Sequence, residues 1–599
     1  VEVRFHDGKT LRGVRKNEDT FSLQMMDEHQ RLHLLLQKDL AEVRLLKESL
    51  MPVASISGGP MNNVIAFLKN APPLDPGIAR VRPDEDMNVP FRRLRGAEKE
   101  PQNWLTYWGN LHGTHYSGLR QITAANVRTL AGAWTFQFRG SSVETMPLVV
   151  DGVMFVTGPL NNAAALDART GRTIWRYARK LPADVHSNCT VMTNRGFAIL
   201  GGLLYMGTLD AHLVALDAKT GNVVWDVPVD DYKKGYSITH APLAIDGKII
   251  TGVTAGECAL TGFVDAYDAV SGKKLWRVNA IAGEDDPAGR ATWAGNSFEY
   301  GGGPTWMTGT YDAESGTLFW PTGNPSPDYD GSVRAGDNLY TCSVLALDPN
   351  NGKRKWHFQF TPHDTHDWDA TETPVLVDTT LHGRKQHLLL HADRNAFFYV
   401  LDRDTGTFLH GKAFAKQNWA TGLDANGRPD VISGTDPTPK GVYVCPDASG
   451  ATNWASPSWD PLTRLFYVTA RDSCALYTSV TKEPKPGDPY VGSGQSEDNG
   501  GTASAIRAID AETGDVRWDF RLQEGSSSAG VLATGGGVLF VASREGNLIA
   551  LDAATGKELW HYQTGAEIRS SPISFSVDGR QYIAVANDSA LFAFALPQP

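Results

Sequence analysis

One eleven-residue pattern, A-[LYI]-D-x-x-[TS]-G-x-x-x-W, recurs along this chain and restricts it to a repeat fold. It appears as ALDARTGRTIW ending at Trp175, ALDAKTGNVVW at Trp225, AYDAVSGKKLW at Trp276, AIDAETGDVRW at Trp518 and ALDAATGKELW at Trp560. Looser copies end at Trp320 (TYDAESGTLFW), Trp356 (ALDPNNGKRKW) and His410 (VLDRDTGTFLH). The apolar run before Asp reads as a strand. Asp-x-x-Thr-Gly reads as a tight turn, because Asp caps nearby backbone N–H groups and Gly accepts positive φ. The next strand carries a Trp that can reach a neighbouring unit. One such unit cannot bury both of its faces, so the units stack radially. The expectation is an all-β, eight-bladed propeller with tryptophan-docking repeats.

With 599 residues the chain has room for one large propeller and a small appendage. A formal net charge of −11 without a long basic run argues against nucleic acid as a partner. No uninterrupted apolar stretch approaches the length of a membrane-spanning helix. None of the five cysteines forms C-x-x-C, and the odd number leaves at least one free thiol. The chain opens on Val1 rather than Met and shows no signal peptide, so it is expected to lack its native N-terminus.

Residues 1–70 read as a small β-meander followed by SLMP and a short helix, NNVIAFLKN. Residues 71–100, rich in Pro and charge, read as a linker or a wrap over the propeller, which is assigned to 101–599. The last strands, RQYIAVAN and ALFAFAL, are expected to share a blade with GAWTFQF near 132–138, which would leave no open sheet edge. The stretches 415–445 and 475–500 are Gly/Pro-rich and carry no readable pattern.

The informative residues are those that break the repeat. TGVTAGECALTG at 251–262, YGGGPTW at 300–306, PTGNPSPDYD at 321–330 and TPHDTHDWDA at 361–370 insert acids, an amide, glycines and Trp where a plain blade needs only turn residues. Together with NWLTYWGNLHGTHYSGL near 103, ETMPLVVDG at 144, NRGFAI at 194, HADRNAFFYVLDR at 391 and ATNWASPSWDP at 451, these segments resemble the pyrroloquinoline-quinone (PQQ)-dependent alcohol dehydrogenases, over roughly residues 100–597.

The resemblance implies a set of roles. Glu257, Asn324, Asp367 and Asp369 would be metal ligands, and Asp367 the catalytic carboxylate. Trp306 would stack on the planar quinone, and Arg394 would contact its reactive carbonyl oxygen. Glu144, Arg195, Thr239, Thr254, Ala255, Gly256, Asn453 and Trp454 would complete the cofactor site. The residue types suit the chemistry: a hard cation takes oxygen ligands, a carboxylate can accept the substrate's hydroxyl proton, and Arg meets growing negative charge on the ring. Asp369, two residues after Asp367, resembles the extra aspartate of lanthanide-dependent members. A lanthanide(III) is therefore expected, with calcium second. In an extended segment both carboxylates would face one side. His363 and His366 tempt a zinc reading, but they lack helical spacing and flank Pro362, so they read as structural.

The family also implies oxidation of a primary alcohol, a cytochrome c electron acceptor and a periplasmic location. Three features depart from it. Relatives often carry a vicinal cysteine pair where this chain reads Cys189-Thr190, and a tryptophan where it has Ser528. Met51 in SLMP is similar to the axial ligand at the end of a c-type cytochrome domain, but there is no C-x-x-C-H, and no haem is expected in this chain as it stands. Two other readings share the fold: a non-enzymatic scaffold of outer-membrane protein assembly, and a PQQ-dependent sugar or polyol dehydrogenase.

Overall fold

A computed structural model of the chain describes residues 1–18, 22–27, 31–36, 39–46, 87–185, 191–254, 256–381, 383–497, 502–523 and 529–597. Met51 and the expected helix NNVIAFLKN lie outside them, as do Cys189, Thr190, Ala255 and Ser528.

The repeat builds successive antiparallel sheets from neighbouring strands. The first contains Leu148–Val150, Val153–Gly158, Asn162–Asp167 and Thr173–Ala178. The second contains Ala198–Leu200, Leu203–Gly207, His212–Asp217 and Val223–Pro228, and the third Leu243–Ile245, Lys248–Thr251, Phe263–Asp268 and Lys274–Asn279. The fourth holds Thr310–Asp312, Thr317–Pro321, Ser343–Leu347 and Arg354–Gln359, and the fifth Val375–Leu381, Arg384–Ala392, Phe397–Asp402 and Phe408–Ala413. The sixth holds Ser458–Asp460, Leu465–Asp472, Ala503–Asp510 and Val516–Leu522. The seventh holds Val531–Thr534, Val538–Ala542, Asn547–Asp552 and Glu558–Gln563, edged by Tyr116–Ser117. The last joins Ile573–Val577, Arg580–Ala586 and Ala590–Ala595 to Ala131–Gln137, with Ala590 opposite Gln137. The expected pairing of the chain's final strands with an early one is therefore present, and the molecule is an all-β propeller.

The geometry explains the repeat. In the second sheet Oδ1 of Asp217 accepts from the backbone N–H of Lys219 and Thr220 and from the Thr220 hydroxyl. Gly221 then takes φ +72°, and a Cβ there would lie 2.6 Å from the ring of Trp175 in the preceding sheet. That indole donates Nε1–H to the Ala218 carbonyl at 3.0 Å. Ala, Asp, Thr, Gly and Trp are thus parts of one contact between neighbouring sheets. His410 stands in for Trp in the fifth sheet and donates to the Ala511 carbonyl at 2.9 Å. The copy ending at Trp320 needs a correction. Trp320 lies in the second strand of its sheet, fully buried, and donates to Thr305 within the same region; Trp356 is the residue that reaches the fifth sheet.

Residues 1–44 form a five-stranded sheet in the order Leu32–Leu36, Ser22–Asp27, Thr10–Glu18, Glu2–Phe5, Leu40–Arg44. The last strand pairs with the first and adds one member to the expected meander. Of the expected connection, 71–86 lie outside the described residues; in 87–100 Val89 exchanges backbone hydrogen bonds with Gly201, Leu94 is buried, and Arg93 bridges Glu100 and Asp151. The unreadable stretches form small extra sheets, Ala420–Leu423 with Pro429–Val431 and Val442–Val444 with Ala475–Ser479 and Ser493–Glu497, held by the Cys445–Cys474 disulfide. Cys258 is also disulfide-bonded, whereas Cys342 is free and buried.

Candidate active site

In an antiparallel four-stranded sheet, the loop entering the first strand and the loop joining the second to the third open on the same face. The Asp-x-x-Thr-Gly turns, which join the third strand to the fourth, open on the opposite face. Every candidate residue falls in the first class. Glu144, Arg195, Thr239, Trp306, Asp367, Asp369, Asn453 and Trp454 precede first strands, while Thr254, Gly256, Glu257, Asn324 and Arg394 lie between second and third strands. Topology alone gathers them on one face.

There they enclose a cavity of about 490 Å³, lined by Glu144, Arg195, Thr239, Thr254, Glu257, Trp306, Asp367, Asp369, Arg394 and Trp454. Val191, Pro304 and Val491 complete the wall. Three further candidates stand one step behind. Asn324 donates its backbone N–H to Oδ1 of Asp369 at 2.8 Å. Asn453 accepts from Arg394 at 3.4 Å, and Gly256 packs so closely on Pro304 that a Cβ would lie 2.5 Å from its ring.

Arg394 organises the acids. Its Nη2 donates to Oδ2 of Asp369 at 2.9 Å, and its Nη1 donates to the Asp367 carbonyl at 3.0 Å. Burial opposes its charge, but Asp369 and then Asp367 outweigh that and hold it protonated. Asp369 also accepts from the Trp306 indole N–H at 2.9 Å, which fixes the ring. The Asp367 side chain is 26 % exposed and that of Asp369 4 %. The nearest hydroxyl to Asp367, that of Tyr329, is 3.5 Å away. Asp369 is thus committed to donors, while Asp367 faces the cavity. Asp367 has φ +64°, so the segment is not the plain extended one expected, although both carboxylates line the cavity.

The acids are crowded. Burial, then the Asp369 charge, pushes Glu257 up to about 7. Asp367 is raised well above the carboxylate range by burial, against Arg394 and with Asp369. Asp328, buried behind them, is raised by burial and then by Asp367 and Glu257. Such a group favours an added cation. Oδ1 of Asn324 is buried with no hydrogen-bond partner among the described residues, as an unfilled oxygen ligand would be. On the other side of the cavity Arg195 pairs with Glu144 at 2.8 Å and donates to the Thr239 hydroxyl at 2.9 Å. Its guanidinium lies 5.1 Å from the Trp306 ring centre and 4.5 Å from that of Trp454, and its Nε–H has no acceptor among the described residues. Oxygen donors on one side, a flat indole below and a spare cationic donor opposite fit a hard cation and a planar polycarboxylate.

His366 is structural, as expected: it stacks on Trp368 at 4.3 Å and bonds the Thr435 carbonyl. His363 bonds the Gly336 carbonyl. The sequence reading missed Val191, Val491, Asp328 and Tyr329. Asp328 and Tyr329 were within a quoted segment, but nothing in their spacing showed that they turn inward.

Comparison with known proteins gives the family. Residues 104–413 match the family model for the glucose/ethanol/alcohol dehydrogenase β-propeller domain. Residues 502–596 match that of the outer membrane protein assembly factor BamB, which is a match to the blade repeat and includes none of the cavity residues. The quinoprotein alcohol dehydrogenase PedH of Pseudomonas putida is 38% identical over 517 residues, covering 82% of this chain and 86% of that one. The lanthanide-dependent methanol dehydrogenase of Methylorubrum extorquens is 36% identical, covering 79% and 84%. The solved structure of a europium-containing methanol dehydrogenase superposes with a TM-score of 0.79 at 31% identity, covering 84% of this chain and all of that one.

Proposed function

This chain belongs to the PQQ-dependent quinoprotein alcohol dehydrogenases and is an enzyme, and from that membership we propose that it oxidises a primary alcohol to the aldehyde. The observation that carries the proposal is the convergence of Glu257, Asn324, Asp367 and Asp369 beside Trp306 and Arg394. PQQ, with a hard cation beside it, would supply an electrophilic carbonyl as hydride acceptor. The chain's own residues do the rest. Trp306, held by Asp369, is the shelf for the ring. Arg195, held by Glu144, would with Thr239, Thr254 and Asn453 hydrogen-bond the quinone's carboxylates and carbonyls, with Trp454 nearby. Asp367, half-buried and facing the cavity, accepts the hydroxyl proton. Arg394 sets a fixed positive charge where negative charge grows. Val191 and Val491 give the alcohol an apolar wall.

Asp369 supplies one more anion than a divalent ion needs, so a lanthanide(III) is the proposed ion, with calcium second. Electrons pass to a cytochrome c, and the protein works in the periplasm. The sheets are read as eight blades over 101–599 joined by tryptophan docking, with 1–70 as an appendage and 71–100 as its connection.

Reconstitution with PQQ plus lanthanum or calcium, followed by dye-linked ethanol oxidation, tests this. Asp369→Ala is expected to weaken lanthanum-supported activity more than calcium-supported activity. Equal losses would remove the lanthanide preference, and a folded protein that neither binds quinone nor turns over would overturn the dehydrogenase assignment. Rates on glucose above those on ethanol would favour a sugar dehydrogenase.

A further inference from the structure

Behind Arg394, away from the cavity, lies a second polar cluster that the reaction does not use. Glu372, His391 and Asp393 are 3%, 0% and 0% exposed. One ligand atom from each lies within 4.8 Å of the other two. Nε2 of His391 is 3.1 Å from Oδ2 of Asp393 and 3.9 Å from Oε2 of Glu372. Both Glu372 oxygens lack a hydrogen-bond partner among the described residues. Arg394 does not supply one: its Nε is 3.7 Å from Oε1, beyond hydrogen-bond reach, and its Nη groups are committed to Asp369, Asp367 and Ala448. A carboxylate this deep needs a counter-charge or a proton.

We propose that Glu372, His391 and Asp393 form a second cation site, for a divalent ion of the zinc class. One imidazole and two carboxylates are the donors that zinc, cobalt and manganese accept. In a tetrahedral shell with bonds near 2.05 Å, ligand atoms lie about 3.3 Å apart; the imidazole–Asp393 separation of 3.1 Å matches this, and Glu372, at 3.9 Å, has to move in by about half an ångström. The ligands are also held from behind. Asp393 Oδ1 accepts the Asn395 N–H at 2.9 Å, and the Phe360 ring stacks on the imidazole at 4.1 Å. The ion replaces the proton that Nε2 shares with Asp393 and gives Glu372 the partner it lacks. The site draws on none of the groups assigned to the quinone.

Because the cluster is sealed, the ion loads during folding. The test is elemental analysis of the full-length protein, produced in medium supplemented with zinc or cobalt and dialysed against chelator. About one equivalent of zinc or cobalt per chain is expected in the wild type. The same content is expected in Asp369→Ala, which separates this site from the quinone-side ion. Glu372→Gln and His391→Gln should lower retention at least tenfold, and cobalt should give visible absorption in the wild type and in Asp369→Ala but not in these two variants. A wild type free of zinc and cobalt would overturn the proposal, and so would undiminished retention in Glu372→Gln. If both variants fail to fold, the wild-type metal content and its cobalt spectrum decide the matter.

Discussion

The two faces of the ring use the same residue, aspartate, in opposite ways. On the turn face Asp217, Asp402 and Asp552 each accept from backbone N–H and a threonine hydroxyl one turn ahead. Asp268, in the matching turn of the third sheet, is held below the ordinary carboxylate range by the Ser271 hydroxyl and backbone N–H. On the cavity face Asp328 and Asp367 are raised by burial and by other acids. Local chain satisfies the first group completely. The second is left short of partners, and that shortage is what gives it affinity for something from outside. A scaffold and a site can thus be told apart by whether the chain answers its own charges.

The sharpest way to break this comparison is to neutralise one aspartate on each face. Asp367→Asn should lower kcat by about 10²–10⁴ in the dye-linked assay, because the proton acceptor is gone. The melting temperature of the protein without quinone should not fall, since a crowded buried charge is removed; a clear fall would mean that Asp367 is a structural cap after all. Acid should separate the faces next. Burial lowers His115 to about 4, against the Pro572 carbonyl, and lowers His240 to about 3, with Arg195 adding to it. Both are therefore neutral in the folded chain, and each stabilises it fully above the unfolded value near 6.5. That contribution, on the order of 3 kcal/mol for His115 and about 5 kcal/mol for His240, is lost progressively as pH falls from about 6.5 towards 4 and 3 respectively. A melting temperature flat across that range would contradict the expectation, and His240→Gln should shallow the slope.

The turn face is tested by its glycines. Gly406→Ala should cost about 3 kcal/mol in urea unfolding, because φ is +74° and the new Cβ would lie 2.5 Å from the Trp356 ring. Gly316→Ala, on the same face at φ +62° with open space around it, should cost only about 1 kcal/mol, so equal losses would remove the role given to the indole. Asp402→Ala should likewise cost about 1 kcal/mol, as for a lost cap, and leave kcat unchanged.

How much could be read in advance follows the same division. The blades were legible because one local contact repeats: Asp, Gly and Trp at fixed offsets are satisfied within a hairpin and its neighbour. The copy at Trp320 misled because an offset can be met in the wrong hairpin. The cavity residues were legible only as a set, through family motifs, since no spacing shows that Glu257 and Asp367 approach each other. Glu372, His391 and Asp393 were invisible for that reason, although all three stood in or beside quoted segments. The fifth N-terminal strand and the small sheets built from 420–444 and 475–497 were equally hidden, because their pairings are tertiary and their composition is that of loops.

The last sheet has a consequence for how the molecule comes into being. Ala131–Gln137 cannot find its partner until Ala590–Ala595 exists, so the ring stays open until that distant strand has been made. Loop closure over that span is slow, and until then the first sheet and the newest one each have a neighbour on one side only. Joining the present termini and cutting elsewhere would change which strand arrives last, and the refolding rate of such permuted chains would show whether that final clasp governs the time needed to assemble the enzyme.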